Sequence, residues 1–393
     1  MGMRILHTSD WHLGRSFGDA RLLDEQAKFV DWMVELTEAE QVDLVVVSGD
    51  LFDRSVPPAD AVVLLSETIR RLRSVGAEVV AIAGNHDSSD RIGSYDGLVD
   101  AGGVIMRGGY SSASRVAVRQ FSDGPLAIVA TPFLEPLMAP PAVVAAVNAG
   151  KDPVAERSPR ISHEMVVANV LEDARAALPR GTRSIVLSHA FVAGAEPSDS
   201  ERDLAVGDSG LVSSSHYEGF DYVALGHLHR PQIVAGRDNM RYSGSPLPYS
   251  FSEDHQKSVV IVDMDKAGTT AVTKVPIGVG RGVRTLRGTF QELMSGPQIT
   301  EPWVRVELTD LAVIPDAHRS LRRHFPHLVE IARVGRAQLP TVRLTADQLK
   351  VRRPDELARD FWAEINNSET TDEVASILDA AVAEAGRYEE GAA

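Results

Sequence analysis

The sequence predicts a layered α/β fold, followed by a small α+β unit and C-terminal helices. Short apolar runs recur along roughly the first 265 residues, and amphipathic helical patterns lie between them. After about Val275 the segments become shorter and more basic, and beyond Pro354 only helical patterns remain. We therefore predict three parts: a core over residues 1–275, a cap domain over 276–345 and C-terminal helices over 346–393.

The predicted strands are continuously apolar rather than alternating. Runs such as VDLVVVS and EVVAIA contain β-branched residues without polar interruption. This pattern is typical of strands that are buried on both faces. The runs lie at Arg4–Leu6, Val42–Val47, Glu78–Ala83, Leu126–Ala130, Ser184–Leu187, Tyr222–Leu225 and Ser258–Val262.

Helical patterns separate these runs. One carries its apolar residues on a single stripe from Phe29 to Leu36, and another begins after Pro58 and ends near Gly76. A stretch rich in Pro, Ala and Gly, from Pro132 to Pro159, predicts a long surface connection. In such a fold the functional groups are expected on loops at the ends of strands.

The last third of the chain follows a different order. RTLRGTFQELM predicts a strand and then a helix, WVRVELTD a strand, IPDAHRSLRRHF a helix and LVEIARV a strand. These segments form the predicted cap domain. Two amphipathic helices follow Pro354, and the first of them carries the stripe Leu357, Phe361 and Ile365.

Composition restricts the class of protein. The chain has 393 residues and no cysteine, which excludes disulfides and thiolate metal sites. Its N-terminus lacks the apolar stretch of a signal peptide, and no window is apolar enough to span a bilayer. We therefore expect a soluble cytoplasmic protein.

The charge distribution is uneven. The formal net charge of −15 argues against nucleic acid binding, yet residues 281–353 contain 13 Lys and Arg against 7 Asp and Glu. An acidic body is thus joined to a basic segment. From charge alone, ordinary solvated faces explain this pattern better than a DNA-binding surface does.

Five short motifs carry the chemistry, and each follows an apolar run. They are SDWH, SGDLFD, AGNHD, LSHA and LGHLH. Because loops at the ends of neighbouring strands meet at one edge of a sheet, all five can converge. Five of the twelve histidines fall within these motifs. The other seven, His7, His163, His216, His255, His318, His324 and His327, have no such context, and we interpret them as structural.

The residue types in these motifs predict a site for two divalent metal ions. Imidazole, carboxylate and one amide oxygen suit Mn²⁺, Fe²⁺ or Zn²⁺, and the histidine content favours Mn²⁺ over Mg²⁺. Asp50 follows a buried strand and a glycine, so its two oxygens could bridge both ions. His86 lies beside a ligand and is placed to act as a general acid. The seven candidate ligands are Asp10, His12, Asp50, Asn85, His189, His227 and His229.

The five motifs, in this order, resemble the calcineurin-like metallophosphoesterases, whose pattern is DxH, GDxxD, GNH[D/E], H and GHxH. HTSDWHLG, SGDLFD, AGNHDS and RYSGSPLPYSF further resemble the SbcD-type nucleases. The resemblance is dense over residues 3–265 and weaker beyond. It implies a sandwich of two sheets flanked by helices.

Position by position, the resemblance implies a ligand set for each ion. One ion would be bound by Asp10, His12, Asp50 and His229, and the other by Asp50, Asn85, His189 and His227. His86 would be the catalytic acid and a phosphate contact. Archaeal relatives have a second catalytic histidine where this chain has Asp53, so Asp53 is a candidate catalytic residue, and activity is expected to survive if Asp53 orients His86.

The resemblance also implies a function and its partners. It implies an exonuclease on duplex ends and an endonuclease on hairpin or single-stranded DNA, working in repair, recombination and replication with the SMC-like ATPase SbcC. A homodimer and a nucleoid location are further expectations. The stripe Leu357, Phe361 and Ile365 would bind the ATPase coiled coil, although a core-packed helix explains it equally well. Candidate phosphate contacts in the cap are Arg281, Arg284, Arg287, Arg319, Arg322 and Arg323.

Two other functions are compatible with the motifs. The same metal chemistry could serve a phosphatase or a phosphodiesterase for small substrates, because the fold alone does not choose a substrate. A non-catalytic scaffold that recruits an ATPase to DNA is a second alternative. The intact set of candidate ligands argues against the scaffold, and the C-terminal ~120 residues argue against a minimal phosphodiesterase.

Overall fold

The computed structural model describes residues 2–149, 161–196, 210–312, 314–334, 353–366 and 370–390. The chain divides into two compact units. The larger unit comprises Met1–Arg284 and Glu301–Trp303, and the smaller one comprises Thr285–Thr300 and Val304–Ala393.

The larger unit alternates strands and helices, as the apolar runs predicted. Its strands are β1 Met3–Thr8, β2 Ser16–Phe17, β3 Ala20–Arg21, β4 Leu44–Val47, β5 Glu78–Ile82, β6 Val104–Arg107, β7 Val116–Phe121, β8 Gly124–Thr131, β9 Arg183–His189, β10 Phe191–Val192, β11 Leu211–Val212, β12 Tyr222–Gly226, β13 Gln232–Val234, β14 Arg237–Tyr242, β15 Ser258–Met264 and β16 Thr270–Pro276. Its helices are α1 Leu23–Ala39, α2 Ala59–Ser74, α3 Ser89–Gly93, α4 Pro141–Val147 and α5 His163–Ala176.

Two six-stranded sheets organise this unit. The first has the order β16–β15–β1–β4–β5–β6, and the second has the order β13–β14–β12–β9–β8–β7. The central strands of each sheet are parallel, with Ile5 opposite Leu44 in the first and Tyr222 opposite Ile185 in the second. Because parallel strands end at the same edge, the loops after them gather there.

The two sheets pack face to face over an apolar core. One face of each sheet contributes to it, with residues such as Ile5, Val46, Ile128 and Ile185 fully buried. The opposite faces are covered by helices: α1 and α2 on the first sheet and α5 on the second. Burial on both faces explains why the strands are continuously apolar. The predicted layered α/β sandwich is confirmed.

One histidine lies within this core. His7 on β1 is fully buried, and its ring nitrogens contact Tyr222 Oη at 3.0 Å and the Leu225 carbonyl at 3.1 Å. Burial lowers the pKa of His7 to about 3, so the ring is neutral. Both partners belong to the second sheet, so His7 joins the two sheets. This geometry agrees with a structural role.

The segment predicted as a long connection contains helical structure. A short 3₁₀ helix lies at Pro136–Met138, and α4 follows it. Prolines at the first positions of both elements preset the helical backbone angle and need no amide partner. Proline is typical of loops and also of the first turn of a helix, and here it has the second role. Among the described residues, further 3₁₀ helices lie at Asp100–Gly102, Tyr110–Ser112 and Ser214–Tyr217.

The smaller unit contains the predicted α+β elements. They are β17 Val283–Gly288, which starts at the end of the larger unit, α6 Phe290–Ser295, β18 Trp303–Leu308, α7 Ala317–His324 and β19 Leu328–Arg333. The three strands form one sheet, and its core includes Val306, Leu321 and Phe325. The helices α8 Pro354–Asn366 and α9 Asp372–Glu390 are joined by a salt bridge between Arg359 and Asp379. Across the described ranges, no helix combines the length and apolarity that a membrane span requires.

Candidate metal centre

The predicted ligands lie at facing edges of the two sheets. Loops after β1, β4 and β5 of the first sheet carry Asp10, His12, Asp50 and Asn85. The second sheet contributes His189 at the end of β9, and His227 and His229 after β12. The positions of the motifs after apolar runs predict that all five lie at one sheet edge. In the structure they come from both sheets of the sandwich.

The backbone of this region adopts uncommon conformations. Among the described residues, seven other than glycine have a positive φ, and four of these are candidate ligands: Asp10, His12, Asp50 and His227. Such conformations cost on the order of 1–3 kcal/mol each and cluster at functional sites. The turns at these four residues therefore direct their side chains to one point, and the cost is strain in the backbone.

Two glycines allow the loops to approach each other. A Cβ at Gly49 would collide with the ring of His189, and one at Gly84 would collide with the carboxylate of Asp50. These contacts explain why the motifs read Gly-Asp and Gly-Asn. Asp87 links the loops that follow β4 and β5, because its carboxylate accepts hydrogen bonds from the amides of Leu51, Phe52 and Gly84.

The first group of donors surrounds one side of Asp50. His12 Nε2 lies 3.2 Å from His229 Nε2 and 3.5 Å from Asp50 Oδ2. Ligand atoms of Asp10, His12 and His229 all lie within 4.8 Å of one another. Ligands ~2.1 Å from one ion are ~3.0–3.5 Å apart, so these separations match a shared cation.

The second group of donors contacts the same carboxylate oxygen. His189 Nε2 is 3.5 Å from Asp50 Oδ2 and 3.0 Å from Asn85 Oδ1. His227 Nδ1 is 3.1 Å from Asn85 Oδ1. Asp50 Oδ2 is thus equally distant from His12 and His189, one from each group. A ligand that bridged two ions would need this contact with both groups.

Proton positions test whether these groups fit a metal. His189 Nδ1 lies 2.8 Å from the Ser48 carbonyl, which only accepts, so the proton of the neutral ring is on Nδ1. The lone pair on Nε2 then faces Asn85 Oδ1, which is also an acceptor. Two acceptors in contact are stabilised by a cation between them, so the residues fit a divalent ion here.

The pKa values agree with a cation-binding site. Burial, and then the neighbouring histidines, hold the pKa of His12 and of His227 well below the ordinary value. Burial raises the pKa of Asp10 to about 6, and burial and the charge of Asp50 raise that of Asp87 to about 7. Neutral imidazoles beside carboxylates out of water are ready to bind a metal, which would stabilise the ionised carboxylates.

His86 lies at the rim of this site. Its amide donates to Asp50 Oδ1 at 2.9 Å, and its ring lies 4.7 Å from the ring of His12. His86 Nδ1 contacts the backbone carbonyl of Asp53 at 3.0 Å. Within the described part of the chain, Nε2 has no hydrogen-bond partner. This nitrogen is therefore the one that could exchange a proton with a substrate.

Asp53 occupies a different place from the one expected of an orienting carboxylate. Any residue at this position would offer the backbone carbonyl that contacts His86. The carboxylate instead accepts from Arg15 Nη1 at 2.9 Å and lies 3.7 Å from His12 Nδ1. Arg15 also lies over the ring of Tyr249. The side chain of Asp53 is thus directed at His12 and Arg15.

Several residues that contact the candidate ligands from behind are not predicted by the sequence motifs. Gln26 is buried on α1, and its amide donates to the carbonyls of Trp11 and His12. Glu253 contacts His229 Nδ1 at 3.0 Å and is paired with Lys257. Gln26 and Glu253 are separated from the histidines that they contact by 14 and 24 positions. The spacing of four residues between Glu253 and Lys257 was an available signal for their pairing.

The candidate phosphate contacts fall in both units. Arg281 contacts Glu25 at 3.2 Å and lies over the ring of Trp303, within the larger unit. Arg284 ends the first part of the larger unit, and Arg287 follows on β17. Arg319, Arg322 and Arg323 are exposed on α7. The six arginines therefore do not belong to one element.

The candidate partner-binding stripe lies on α8. Phe361 is 64% exposed and Leu357 is half-buried. Ile365 belongs to the same helix, but its side chain lies outside the described residues. An exposed phenylalanine one turn from Leu357 leaves an apolar surface on this helix.

Comparison with known proteins gives consistent matches over both units. Residues 3–231 match the family of calcineurin-like phosphoesterases, and residues 279–366 match a family described as the type 5 capsule protein repressor C-terminal domain. The SbcD subunit of nuclease SbcCD from Bacillus subtilis strain 168 is 33% identical over 348 residues, covering 86% of this chain and 87% of that protein. The protein of the same name from Escherichia coli strain K12 is 29% identical over 358 residues, covering 88% of each.

Proposed function

Because the chain belongs to the SbcD branch of the calcineurin-like phosphoesterase family, we propose that it is a two-metal DNA nuclease. One observation carries this proposal: donor groups from both sheets converge on Asp50 Oδ2 at equal distances of 3.5 Å. The curated relatives are named as a nuclease subunit, and they match along most of their length. Phosphodiester hydrolysis at this centre is the activity that these facts support together.

Each side chain has a defined task in this proposal. Asp10, His12 and His229 would hold one ion, Asn85, His189 and His227 would hold the other, and Asp50 would be shared by both. A bound pair of divalent ions supplies a nucleophile at neutral pH and Lewis-acid stabilisation of the phosphate. His86 holds its Nδ1 proton against the Asp53 carbonyl, so protonated Nε2 can donate to the leaving alkoxide.

Manganese is the ion that we propose for this centre. Four imidazoles favour Mn²⁺ over Mg²⁺, which prefers oxygen ligands and retains its waters. The uncharged state of the buried histidines supports binding at neutral pH, because protons need not be displaced from His12 or His227.

We further propose the substrate and the partners. DNA ends and hairpins are the substrates, and an SbcC-type ATPase is the partner, consistent with the name that the relatives carry. The stripe of Leu357, Phe361 and Ile365 on α8 is the proposed binding surface for the ATPase coiled coil, with Phe361 as its exposed anchor. A homodimer in the cytoplasm, associated with the nucleoid, completes the proposal.

An activity assay separates the proposed function from its alternatives. Linear duplex DNA and a chromogenic phosphodiester are incubated with Mn²⁺ and the full chain, with and without the ATPase. We expect Mn²⁺-dependent DNA degradation that the ATPase stimulates and that EDTA stops. Turnover of the chromogenic ester without DNA degradation in any condition would instead identify a small-substrate phosphodiesterase. Turnover of neither substrate would identify a scaffold.

The arginines of α7 are expected to contribute to the salt dependence of DNA binding. Arg319, Arg322 and Arg323 are spaced i, i+3 and i+4, so they share one helix face. Each phosphate contact contributes ~0.9 to the slope of log K against log salt concentration. Replacing all three with alanine is expected to reduce the slope by up to ~3. Binding of labelled duplex DNA across a salt series measures it.

A matched control distinguishes a local contact from overall charge. Arg180 is an exposed arginine in the turn before β9, outside the smaller unit. Replacing Arg180 with alanine should leave the slope unchanged. If the triple substitution on α7 also leaves it unchanged, α7 does not contact DNA.

A further inference from the structure

A buried ion pair lies behind His229. Glu253 and Lys257 precede β15 and are only 1% and 6% exposed. Glu253 Oε1 is 3.0 Å from His229 Nδ1, and Glu253 Oε2 accepts from Lys257 Nζ at 2.6 Å. Lys257 Nζ also donates to Ser245 Oγ at 2.9 Å and to the His229 carbonyl at 3.3 Å. Both residues therefore contact His229, one at its ring and one at its backbone.

A contribution to the stability of the fold does not by itself explain why this ion pair is buried here. Removing two charges from water costs several kcal/mol per ion, and apolar residues of similar volume are often equally stable at such positions. Ser245 Oγ makes hydrogen bonds to both members of the pair, and these contacts fix the positions of the two side chains. A buried ion pair that contacts a candidate ligand suggests a role at that ligand.

The pair determines where the proton of His229 lies. Glu253 Oε2 accepts from Lys257 Nζ at 2.6 Å and from Ser245 Oγ at 3.3 Å, as expected of a carboxylate paired with an ammonium group. A carboxylate only accepts, so it requires a proton on His229 Nδ1. With that proton on Nδ1, Nε2 is the ring nitrogen left to bind a metal, and it lies 3.2 Å from His12 Nε2.

We propose that Glu253, held by Lys257, is a positioning residue that fixes the tautomer and the ring orientation of His229 for metal binding. This inference rests on the metal centre proposed above. It concerns the ion shared by Asp10, His12 and His229, and it leaves the ligands of the other ion, Asn85, His189 and His227, unaffected.

Two double variants separate positioning from stability. In Glu253→Leu/Lys257→Met, both charges are removed and His229 Nδ1 loses its acceptor. In Glu253→Gln/Lys257→Met, both charges are removed but an amide oxygen can still accept from Nδ1. We expect the leucine variant to bind one of two Mn²⁺ ions about 10- to 100-fold more weakly. The glutamine variant should recover most of this loss at a similar melting temperature.

A third variant controls for a general loss of stability. Asp123 and Arg183 form another buried ion pair, with side chains 6% and 1% exposed. Arg183 begins the strand that ends at His189, so this pair is ~20 Å from the centre. Asp123→Asn should lower the melting temperature and leave both Mn²⁺ affinities unchanged.

Calorimetric titration of Mn²⁺ into the full chain measures the affinities, and thermal unfolding measures stability. Wild type that binds two ions, with one weakened only in the leucine variant, supports the inference. Unchanged affinities in the leucine variant would overturn it, as would equal losses in both double variants. Wild type that binds no Mn²⁺ would overturn the proposed function and this inference together.

Discussion

Replacing Asp50 with asparagine is expected to abolish Mn²⁺-dependent phosphodiester hydrolysis, with a loss of about 10⁴-fold or more. Asp50 Oδ2 lies 3.5 Å from His12 Nε2 and 3.5 Å from His189 Nε2. Asparagine has nearly the same shape as aspartate, but its amide lacks the negative charge that would lie between the two cations. Each metal contact with the reacting phosphate contributes several kcal/mol, and each ~1.4 kcal/mol corresponds to a tenfold change in rate. Initial rates on linear DNA measure the loss.

The same substitution should also abolish the increase in melting temperature that added Mn²⁺ causes in the wild type. The donors come from two sheets, so bound ions would link the sheets. At 100 times the dissociation constant, binding adds ~2.7 kcal/mol, which raises the melting temperature by roughly 5 °C or more. The shift should occur in wild type and be lost in Asp50→Asn. Asp43→Asn is the matched control, because Asp43 precedes the other end of β4 and its carboxylate accepts from the Arg4 backbone amide. A full shift in Asp50→Asn would refute the bridging role.

Replacing His86 with glutamine is expected to reduce DNA cleavage by about 10²- to 10⁴-fold while Mn²⁺ binding is retained. His86 contacts Asp50 through its backbone amide, and a ring nitrogen of His86 lies within 4.8 Å of ligand atoms of His12 and Asp50. We assign this ring to proton donation and not to metal binding. The ring nitrogen Nε2 is the group that would protonate the leaving alkoxide. Cleavage assays together with Mn²⁺ titration measure both properties.

The identity of the leaving group tests this role of His86 further. An activated ester such as bis-p-nitrophenyl phosphate releases a stable phenolate that needs no proton. The loss of rate in His86→Gln should therefore be much smaller for this ester than for DNA. Equal losses on both substrates would contradict proton donation and would indicate a contact to the phosphate instead.

The strands could be predicted from the sequence, and so could most of the side chains that the structure brings together at the candidate site, because both depend on local patterns. Runs such as VDLVVVS identify a strand without any tertiary information. The glycines before Asp50 and Asn85 mark close approach, and Asp10, His12, His227 and His229 lie in DxH or HxH pairs. These signals are contained within a few residues of the chain.

Other features of the site depend on contacts between distant segments. The carboxylate of Glu253 contacts His229 across 24 positions, and Gln26 contacts His12 across 14. No local pattern indicates which of the 55 acidic residues is buried against a histidine. The division of the motifs between two sheets was also missed, because strand order depends on crossover connections that periodicity does not report.

The position of Asp53 illustrates a related difficulty. Its place three residues after Asp50 suggested a partner for His86, and the backbone does make that contact. The side chain turns towards Arg15 and His12 because Arg15 lies nearby in the folded chain. The spacing from Asp50 predicted where Asp53 lies along the chain. The contacts of its side chain depend on the separate loop that carries Arg15.

The most direct measurement is anomalous scattering from crystals soaked in Mn²⁺. Two manganese peaks ~3.5–4 Å apart should lie on either side of Asp50 Oδ2. One peak should contact Asp10, His12 and His229, and the other should contact Asn85, His189 and His227. A single peak, peaks remote from Asp50, or no manganese at all would contradict a centre built from these seven side chains.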